Sequence, residues 1–308
     1  MQEIKRLIWV FVYWFLGRFF PQMLVTVIFR RCHGMGSEWK SDPQTIDQKI
    51  HWLKFYGDTS QWPRLADKYR VREYVAERGL ADMLVPLLGR WERAEDVDWD
   101  ALPECFVMKT NHGSGDALIC QDKAQLDTRA WTQKFARLLR ERYGYYRAEP
   151  HYNLIPPCII AEELLDASRQ RVESTSLVDY KVWAFNGKPA YVWTCHNRTK
   201  DSCVVGVYDL DWRFHPEYSV SNSHYILASQ PIPRPSSLDR ILHAASVLSE
   251  GFPQVRVDFY EVDGKPYFGE ITFTAASGFN DFYTREFLLI LGRLCILPLP
   301  DKNESLVL

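Results

Sequence analysis

The stretch VRVDFYEVDGKPYFGEITFTAASG, residues 255–278, places an arginine and two acidic residues inside otherwise apolar strands. The Asp-Gly pair at its centre is a turn signal, so the stretch predicts two β-strands paired as a hairpin. Successive side chains of a strand point to opposite faces. Arg256 and Asp258 therefore share one face of the first strand. Glu270 and Thr272 share one face of the second strand, and the function of the hairpin depends on whether these two faces coincide.

The turn decides which residues lie opposite each other, because a slip of one residue exchanges the two faces of a strand. A two-residue loop would pair Asp258 with Gly269 and turn Glu270 to the other face. A three-residue loop, or an equivalent bulge, would pair Asp258 with Glu270 and Arg256 with Thr272. We predict the second arrangement, which gathers two carboxylates, a guanidinium and a hydroxyl on one face.

Two carboxylates on one face repel each other unless a cation lies between them. Mg²⁺ prefers hard oxygen ligands, so the face predicts a magnesium site at Asp258 and Glu270. The alternative is a solvated hairpin face that carries an ordinary ion pair between the arginine and a carboxylate.

Composition limits the class of protein. The chain of 308 residues has room for one large domain or for two to three subdomains. Its formal net charge of −2 indicates no broad nucleic-acid-binding surface. The seven cysteines are scattered and form no Cys-x-x-Cys pair, so neither a disulfide framework nor a zinc site is predicted. We expect a reducing, cytoplasmic setting.

The N-terminus contains two apolar runs within residues 7–31, separated by Arg18 and Pro21. Neither run alone reaches the roughly 20 residues of a membrane-spanning helix, and no cleavage site of a signal peptide follows the first run. One interpretation is an interfacial helix that makes a peripheral contact with the inner face of the membrane. The other is a hydrophobic helix packed on the rest of the protein or on a partner subunit.

The segment KTNHGSGD joins two short apolar strands through a glycine-rich tip. Such a tip lets backbone N–H groups approach a phosphate closely. Lys109, in the strand before the tip, is costly to bury without an anionic partner. The alternative is a flexible tip and a lysine whose ammonium extends to solvent.

Three further sites are weak when taken singly. Lys68 heads a helix and by itself indicates only a solvated surface lysine. Glu162 and Glu163 end an apolar strand, where one or both could face water. Lys181 shares a strand face with Asp179, which predicts a local ion pair.

The order of these sites along the chain resembles that of ATP-grasp proteins. The chain specifically resembles the TupA-like ATP-grasp family, named for teichuronopeptide biosynthesis, from about residue 43 to residue 298. The resemblance is carried by TIDQKIHWLKFY, LADKYRVREYV, FVMKTNHGSG, IIAEELL, DYKVWAFNGKP, VRVDFYEVDGKPYFGEITFTAASGF and LGRLCILPLP. It implies an α+β ATP-grasp fold, in which two α+β subdomains clasp ATP, with a helical N-terminal region.

The resemblance also implies a division of the chain and a role for each site. The expected segments are a hydrophobic segment (1–33), a helical subdomain (34–103), a lid subdomain with the glycine loop (104–165) and a core subdomain with the metal site (166–300). The residues implied to bind ATP are Lys68, Lys109, Gly113, Ser114, Gly115, Glu162 and Glu163. Those implied to hold Mg²⁺ are Asp258, Glu270 and Thr272, and those implied to act on the transferred phosphoryl group are Arg256 and Lys181. Many ATP-grasp enzymes have Glu-x-Asn where this chain has Glu270-Ile271-Thr272, which implies a second metal held more weakly or through water.

The implied chemistry is the ATP-dependent joining of a carboxylate and an amine through an acyl phosphate. The expected substrates are a uronic acid of a cell-surface polysaccharide, or its lipid-linked precursor, and an amino acid or another amine. The alternatives are a kinase acting on a glycan hydroxyl and a non-catalytic subunit of a polysaccharide assembly complex. The residues His112, His151, Tyr152 and Arg198 are further candidates for substrate contact, with His151 favoured as structural.

Overall fold

A computed structural model describes residues 2–33, 37–115 and 117–298. The helices are α1 (Gln2–Phe19), α2 (Pro21–His33), α3 (Glu38–Ser41), α4 (Ile46–Tyr56), α5 (Trp62–Ala66), α6 (Val71–Glu77), α7 (Thr128–Leu138), α8 (Leu238–Leu248) and α9 (Arg285–Leu294). The strands are β1 (Leu87–Trp91), β2 (Phe106–Thr110), β3 (Leu118–Cys120), β4 (Ile159–Glu163), β5 (Asp179–Phe185), β6 (Lys188–His196), β7 (Cys203–Tyr208), β8 (Tyr225–Leu227), β9 (Val255–Val262) and β10 (Lys265–Thr272).

The strands form two sheets, each with its own apolar core. The smaller sheet has the order β1-β4-β2-β3, and Phe135 of α7 packs on it beside Phe106 and Met108. The larger sheet has the order β10-β9-β5-β6-β7-β8, and α8 packs on it through residues such as Ile241 and Leu248. Strand β5 is buried along its whole length, as expected of a central strand covered on both faces.

The hairpin of β9 and β10 has the predicted register, which it reaches by a bulge. Its turn contains only two residues, because Val262 pairs with Lys265. The register then shifts at Gly269, after which Asp258 lies opposite Glu270 and Arg256 opposite Thr272. An extra residue in one strand of an antiparallel pair brings the next side chain to the other face. The prediction of one shared face is confirmed.

The segment ADMLVPLLG, residues 81–89, begins with a 3-10 turn at Ala81–Met83. Strand β1 begins after Pro86, which has no N–H group to donate to a neighbouring strand. Although β1 lies within the predicted helical subdomain, it pairs with β4 of the predicted lid. The limits of the predicted subdomains stay a prediction, and residues 34–36 and 299–300, where two of the limits fall, lie outside the described residues.

Helix α2 packs into the protein. Four of its side chains, Leu24, Val25, Ile28 and Phe29, are at most 2% exposed. The Phe29 ring lies against the ring of Phe279, with the ring centroids 5.2 Å apart. For this half of the N-terminal segment, the structure corresponds to the alternative of a packed hydrophobic helix.

Helix α1 is only partly covered. Tyr13 and Leu16 pack against the cluster built around α2. Gly17 contacts the backbone of Tyr145 so closely that a Cβ at this position would lie 1.6 Å from the carbonyl oxygen. The opposite face of α1 leaves large apolar side chains in contact with solvent. Within the described residues, neither α1 nor any other helix is both long and apolar enough to cross a membrane.

We expect Phe29→Ala to lower the free energy of unfolding by about 3–5 kcal/mol, because it leaves a cavity between α2 and the rest of the protein. The matched control is Phe19→Ala, since Phe19 is 53% exposed and its truncation should change stability by less than about 0.5 kcal/mol. Urea unfolding of both variants checks this. Equal unfolding midpoints for the two would contradict the packing of α2.

Candidate functional site

A buried ion network covers one face of the larger sheet, where β5, β9 and β10 lie side by side. The carboxylate of Asp258 accepts two hydrogen bonds from the guanidinium of Arg256, at 2.7 and 2.8 Å. The ammonium of Lys181 lies opposite in the β5–β9 register and donates to the same carboxylate at 2.5 Å. Although burial raises the pKa of Asp258, the two neighbouring cations hold it below its ordinary value.

Glu270 is the accessible carboxylate of this face. Its side chain is 39% exposed, whereas that of Asp258 is 2% exposed. Glu270 lies 3.5 Å from the Arg256 guanidinium and accepts a hydrogen bond of 3.0 Å from the Thr272 hydroxyl. Thus the predicted catalytic pair and the three predicted metal ligands lie together.

Asp179 extends the network at its inner end. It accepts from Lys181 at 3.3 Å and from Arg198 at 2.6 Å. The predicted pairing of Lys181 with Asp179 is therefore present, beside the closer contact with Asp258. Arg198, proposed from sequence as a substrate contact, is held by this ion pair while its side chain remains 43% exposed.

The oxygen atoms of this face fit a magnesium ion that keeps part of its water shell. No group of three or more histidine, cysteine or acidic side chains able to hold a metal occurs in the part of the chain that the structure describes. Mg²⁺ in nucleotide sites is commonly bound by only one or two carboxylates, with phosphate and water completing the octahedron. A carboxylate has about four lone-pair positions, and Asp258 uses three of them on Arg256 and Lys181. One position on Asp258 and the accessible oxygens of Glu270 remain for a metal.

The smaller sheet carries the second group of predicted residues. The ammonium of Lys109 lies 2.7 Å from the carboxylate of Glu162, which also lies 2.9 Å from Arg72. Glu163 points to the opposite side of β4 and is exposed, as strand alternation requires. Of the two acidic residues, only Glu162 takes part in this ion network. Lys109 therefore has the anionic partner that its position in a strand demands.

The glycine loop between β2 and β3 lies next to Lys68. The Lys68 ammonium donates a hydrogen bond of 2.6 Å to the carbonyl oxygen of Gly113. Ser114 and Gly115 are exposed at the tip, and Gly115 has a φ of 75°, a conformation that glycine adopts readily. The tip therefore leaves backbone groups open to a ligand.

Tyr143 links the glycine loop with the ion network of the larger sheet. Burial raises the pKa of its phenol to about 12, and the negative charges of Glu149 and Glu270 act in the same direction. A hydrogen bond with Ser114 opposes this shift. The Tyr143 phenol thus interacts both with Ser114 of the loop and with the charge of Glu270 on the metal-binding face.

Sequence analysis missed Asn111, which fixes the base of the glycine loop. Its side-chain amide donates to Asp67 at 2.9 Å and to the carbonyl oxygen of Pro156 at 3.0 Å. Its side-chain oxygen accepts from the backbone N–H of Cys158 at 2.8 Å. The available signal was a polar residue directly after an apolar strand, but its partners lie more than 40 residues away in sequence.

Glu149 was also missed, and it holds the loop that follows β10. Its buried carboxylate accepts from Thr274 at 2.5 Å and from Ser277 at 3.0 Å. Burial raises the pKa of Glu149. In this loop Ala276, Ser277 and Gly278 have φ values of 48°, 59° and 82°. The left-handed conformation is costly for the first two residues, so these hydrogen bonds stabilise a strained chain beside Thr272.

Comparison with known proteins identifies the family of the chain. A family model described as TupA-like ATPgrasp matches residues 48–296. A search of curated proteins gave no match. Together with the two sheets and their helices, the family match confirms the predicted α+β ATP-grasp fold.

Several solved structures are similar to the chain at low identity. The D-alanine–D-alanine ligase from Bacillus anthracis is 15% identical, with 84% of this chain and 76% of that chain covered and a TM-score of 0.43. The corresponding ligase from Helicobacter pylori is 12% identical, with 81% and 66% covered and a TM-score of 0.40. The ATP-grasp ligase PsnB, complexed with minimal precursor, Mg and ADP, is 13% identical, with 81% and 64% covered and a TM-score of 0.38. The chain thus spans less than two thirds of PsnB.

We expect Asp258→Asn to lower the free energy of unfolding by about 3–5 kcal/mol, because it leaves two buried cations without their shared carboxylate. Urea unfolding near neutral pH measures this loss. The matched control is Asp239→Asn, whose side chain is 88% exposed and whose ion pair contributes at most about 1 kcal/mol. If both variants unfold at the same urea concentration, the network does not hold the sheet in solution.

His151 makes stability depend on pH in a defined direction. Burial lowers the pKa of its ring from 6.5 to about 3, and neither ring nitrogen has a hydrogen-bond partner among the residues that the structure describes. Below pH 6.5 the unfolded chain takes up a proton that the folded chain does not bind until about pH 3. Relative to His151→Phe, the native protein should lose about 1.4 kcal/mol of unfolding free energy per pH unit between pH 6 and 4.

Asp47 provides a control, because its effect on the pH dependence of stability has the opposite sign. Burial raises its pKa from 3.8 to about 7, so the folded chain holds a proton that the unfolded chain releases between those values. Relative to Asp47→Asn, the native protein should lose stability as pH rises from 4 to 7. Urea unfolding of the three proteins across this range measures both slopes. Parallel curves for the native protein and His151→Phe would show that His151 is not buried in its neutral form.

Proposed function

Because the chain belongs to the TupA-like ATP-grasp family, we propose that it is an ATP-dependent ligase that joins a carboxylate to an amine. The observation that carries the proposal is the ion network of Asp258, Glu270 and Arg256 on the larger sheet, together with Lys109 beside the glycine loop of the smaller sheet. The first group suits a metal and the second suits a polyphosphate. The ligase names of the similar structures agree with this class of reaction.

The residues of the smaller sheet bind and orient the nucleotide. Lys68 and Lys109 present positive charge to the phosphates, and the backbone of the glycine loop closes over them. Glu162 acts on Lys109 by holding its ammonium in place. Glu163, which is exposed, is the acidic side chain available to a ribose hydroxyl.

The residues of the larger sheet act on the transferred phosphoryl group. A metal at Glu270, Asp258 and Thr272 would supply positive charge between the phosphates. Arg256 is fixed by its two bonds to Asp258 and stabilises the negative charge that develops during transfer. The Lys181 ammonium donates to the same carboxylate of Asp258. This shared carboxylate fixes the positions of both Lys181 and Arg256.

The reaction has two steps. An oxygen of the substrate carboxylate attacks the γ-phosphorus, the bond to the leaving ADP breaks, and an acyl phosphate forms. The amine nitrogen then attacks the carbonyl carbon, phosphate leaves, and the nitrogen loses a proton to give an amide. The reaction requires that water be excluded from the acyl phosphate.

We further propose that the carboxylate belongs to a uronic acid of a cell-surface polysaccharide or of its lipid-linked precursor, and that the amine is an amino acid or a related compound. The family's association with teichuronopeptide biosynthesis supports this choice. The half-exposed Arg198 at the edge of the ion network suits a carboxylate substrate.

The test supplies ATP, Mg²⁺, a pool of uronic-acid oligosaccharides and a pool of amines to the purified protein. We expect ADP and free phosphate in equal amounts, with amide products identified by mass spectrometry. Lys109→Ala and Glu270→Gln should each reduce the rate at least about 100-fold. Glu270→Gln should also raise the Mg²⁺ concentration needed for half-maximal rate. The matched controls are Lys188→Ala and Glu250→Gln, which change exposed side chains outside the site.

The products distinguish the alternatives. Phosphate retained on a sugar would show a kinase and contradict the ligase. Hydrolysis of ATP without an amide from any pair of substrates would contradict the proposed acceptors. Failure of the chain to bind ATP with Mg²⁺ would overturn the assignment of the site.

A further inference from the structure

The uncovered face of α1 carries an aromatic stripe formed by Phe11, Phe15 and Phe19. These residues are 62%, 40% and 53% exposed, and they follow one another at helical spacing. Their rings form a continuous row, with centroid distances of 6.2 Å from Phe11 to Phe15 and 5.1 Å from Phe15 to Phe19. A contiguous exposed apolar surface of this kind marks a site of interaction.

Further exposed apolar side chains flank the stripe. They are Trp9 on α1, Phe20 between α1 and α2, and Met23 on α2, which are 46%, 53% and 57% exposed. Phe20 and Met23 also line an open cavity of about 570 Å³ that reaches Lys40 and Phe55. The helix cannot bury this surface by turning, because Gly17 on its other face lies tightly against Tyr145.

The sequence segment that carries the stripe is basic, and it lies between the acidic residues Glu3 and Glu38. Residues 4–37 contain no acidic residue and five lysines and arginines, so this segment carries +5 while the remaining residues together carry −7. The guanidinium of Arg18 lies 5.3 Å from the ring centre of Phe19, and that of Arg31 lies 5.1 Å from the ring centre of Trp9. Arg30 is also exposed. Cations at the rim of an aromatic surface complement an anionic, amphipathic partner.

A lipid bilayer fits these features better than a folded protein does. Interfacial helices insert tryptophan and phenylalanine at the depth of the headgroups and direct basic residues to anionic headgroups. A protein partner would need a matching groove with its own acidic rim, whereas an anionic bilayer offers both properties everywhere on its surface.

We propose that α1 and the start of α2 dock the protein reversibly on the surface of bilayers that contain anionic lipids. The aromatic stripe inserts at the interface, and Arg18, Arg30 and Arg31 contact the headgroups. Docking in this orientation places α1 between the membrane and the segment around Tyr145, which leads along the chain to Glu149 beside the candidate site. This inference does not depend on the proposed ligase reaction.

The test uses the full-length protein in co-sedimentation with vesicles. One vesicle contains phosphatidylcholine alone, and the other contains equal parts of phosphatidylcholine and phosphatidylglycerol. We expect at least tenfold tighter binding to the anionic vesicle, and weaker binding in high salt because surface charges are screened. The double variant Phe11→Ser/Phe15→Ser should lose binding at least tenfold, and so should Arg18→Gln/Arg30→Gln/Arg31→Gln.

The matched control is Ile119→Ser/Ile226→Ser, which removes two side chains that are 63% and 50% exposed on other elements. It should bind vesicles as the native protein does. Thermal unfolding should be nearly unchanged in all variants, because each changes exposed side chains. Turnover of soluble substrates should also be unchanged, which separates this proposal from the ligase reaction.

Three results would overturn the proposal. The first is no binding of the native protein to either vesicle. The second is equal binding to both vesicles, which would remove the role of the basic rim. The third is a native dimer that becomes monomeric in Phe11→Ser/Phe15→Ser while vesicles remain unbound, which would make the stripe an interface between two copies of the chain.

Discussion

The buried carboxylate of Asp258 is the charge on which the rest of the site depends. It holds Arg256 and Lys181 against a sheet face that water scarcely reaches. Buried ions are tolerated when their charges are balanced and their hydrogen bonds are satisfied. The face carries three acidic and three basic side chains: Asp179, Asp258, Glu270, Lys181, Arg198 and Arg256. A magnesium ion and a polyphosphate that arrive together add charges of both signs and disturb this balance little.

The register that creates this face was predictable as a choice between two alternatives. Strand alternation and the Asp-Gly turn limited the pairing of Asp258 to Gly269 or Glu270. The turn has the two-residue length that by itself favours the first pairing, and the bulge at Gly269 restores the second. A bulge depends on how β10 packs on β9, so local sequence could name the bulge as an option but could not place it. The hairpin of β5 and β6, which turns at Asn186-Gly187, also contains a register shift, between Trp183 and Ala184.

For other parts of the site, the local sequence could not identify the partners of the polar side chains. Arg72 on Glu162, Asn111 on Asp67 and Glu149 on Thr274 join residues that lie far apart in sequence. Their side chains have no periodicity to reveal them, and each is explained only when its partner is known. The N-terminal helices also could not be placed from local sequence. Their hydrophobicity allowed either a buried or an interfacial helix. In the fold, α2 is largely buried and one face of α1 is exposed.

The hydrogen bonds of Asn111 restrict what the chain can accept at that position. The side chain of Asn111 is buried. Its NH2 group donates two hydrogen bonds, and its carbonyl oxygen accepts one from a backbone N–H. Aspartate has the shape but would set a second carboxylate against Asp67, and leucine would leave the buried N–H of Cys158 without its acceptor. Glutamine has the chemistry but is one methylene too long for a close-packed site. We therefore expect position 111 to tolerate no residue other than asparagine, even if Asn111 does not contact a substrate.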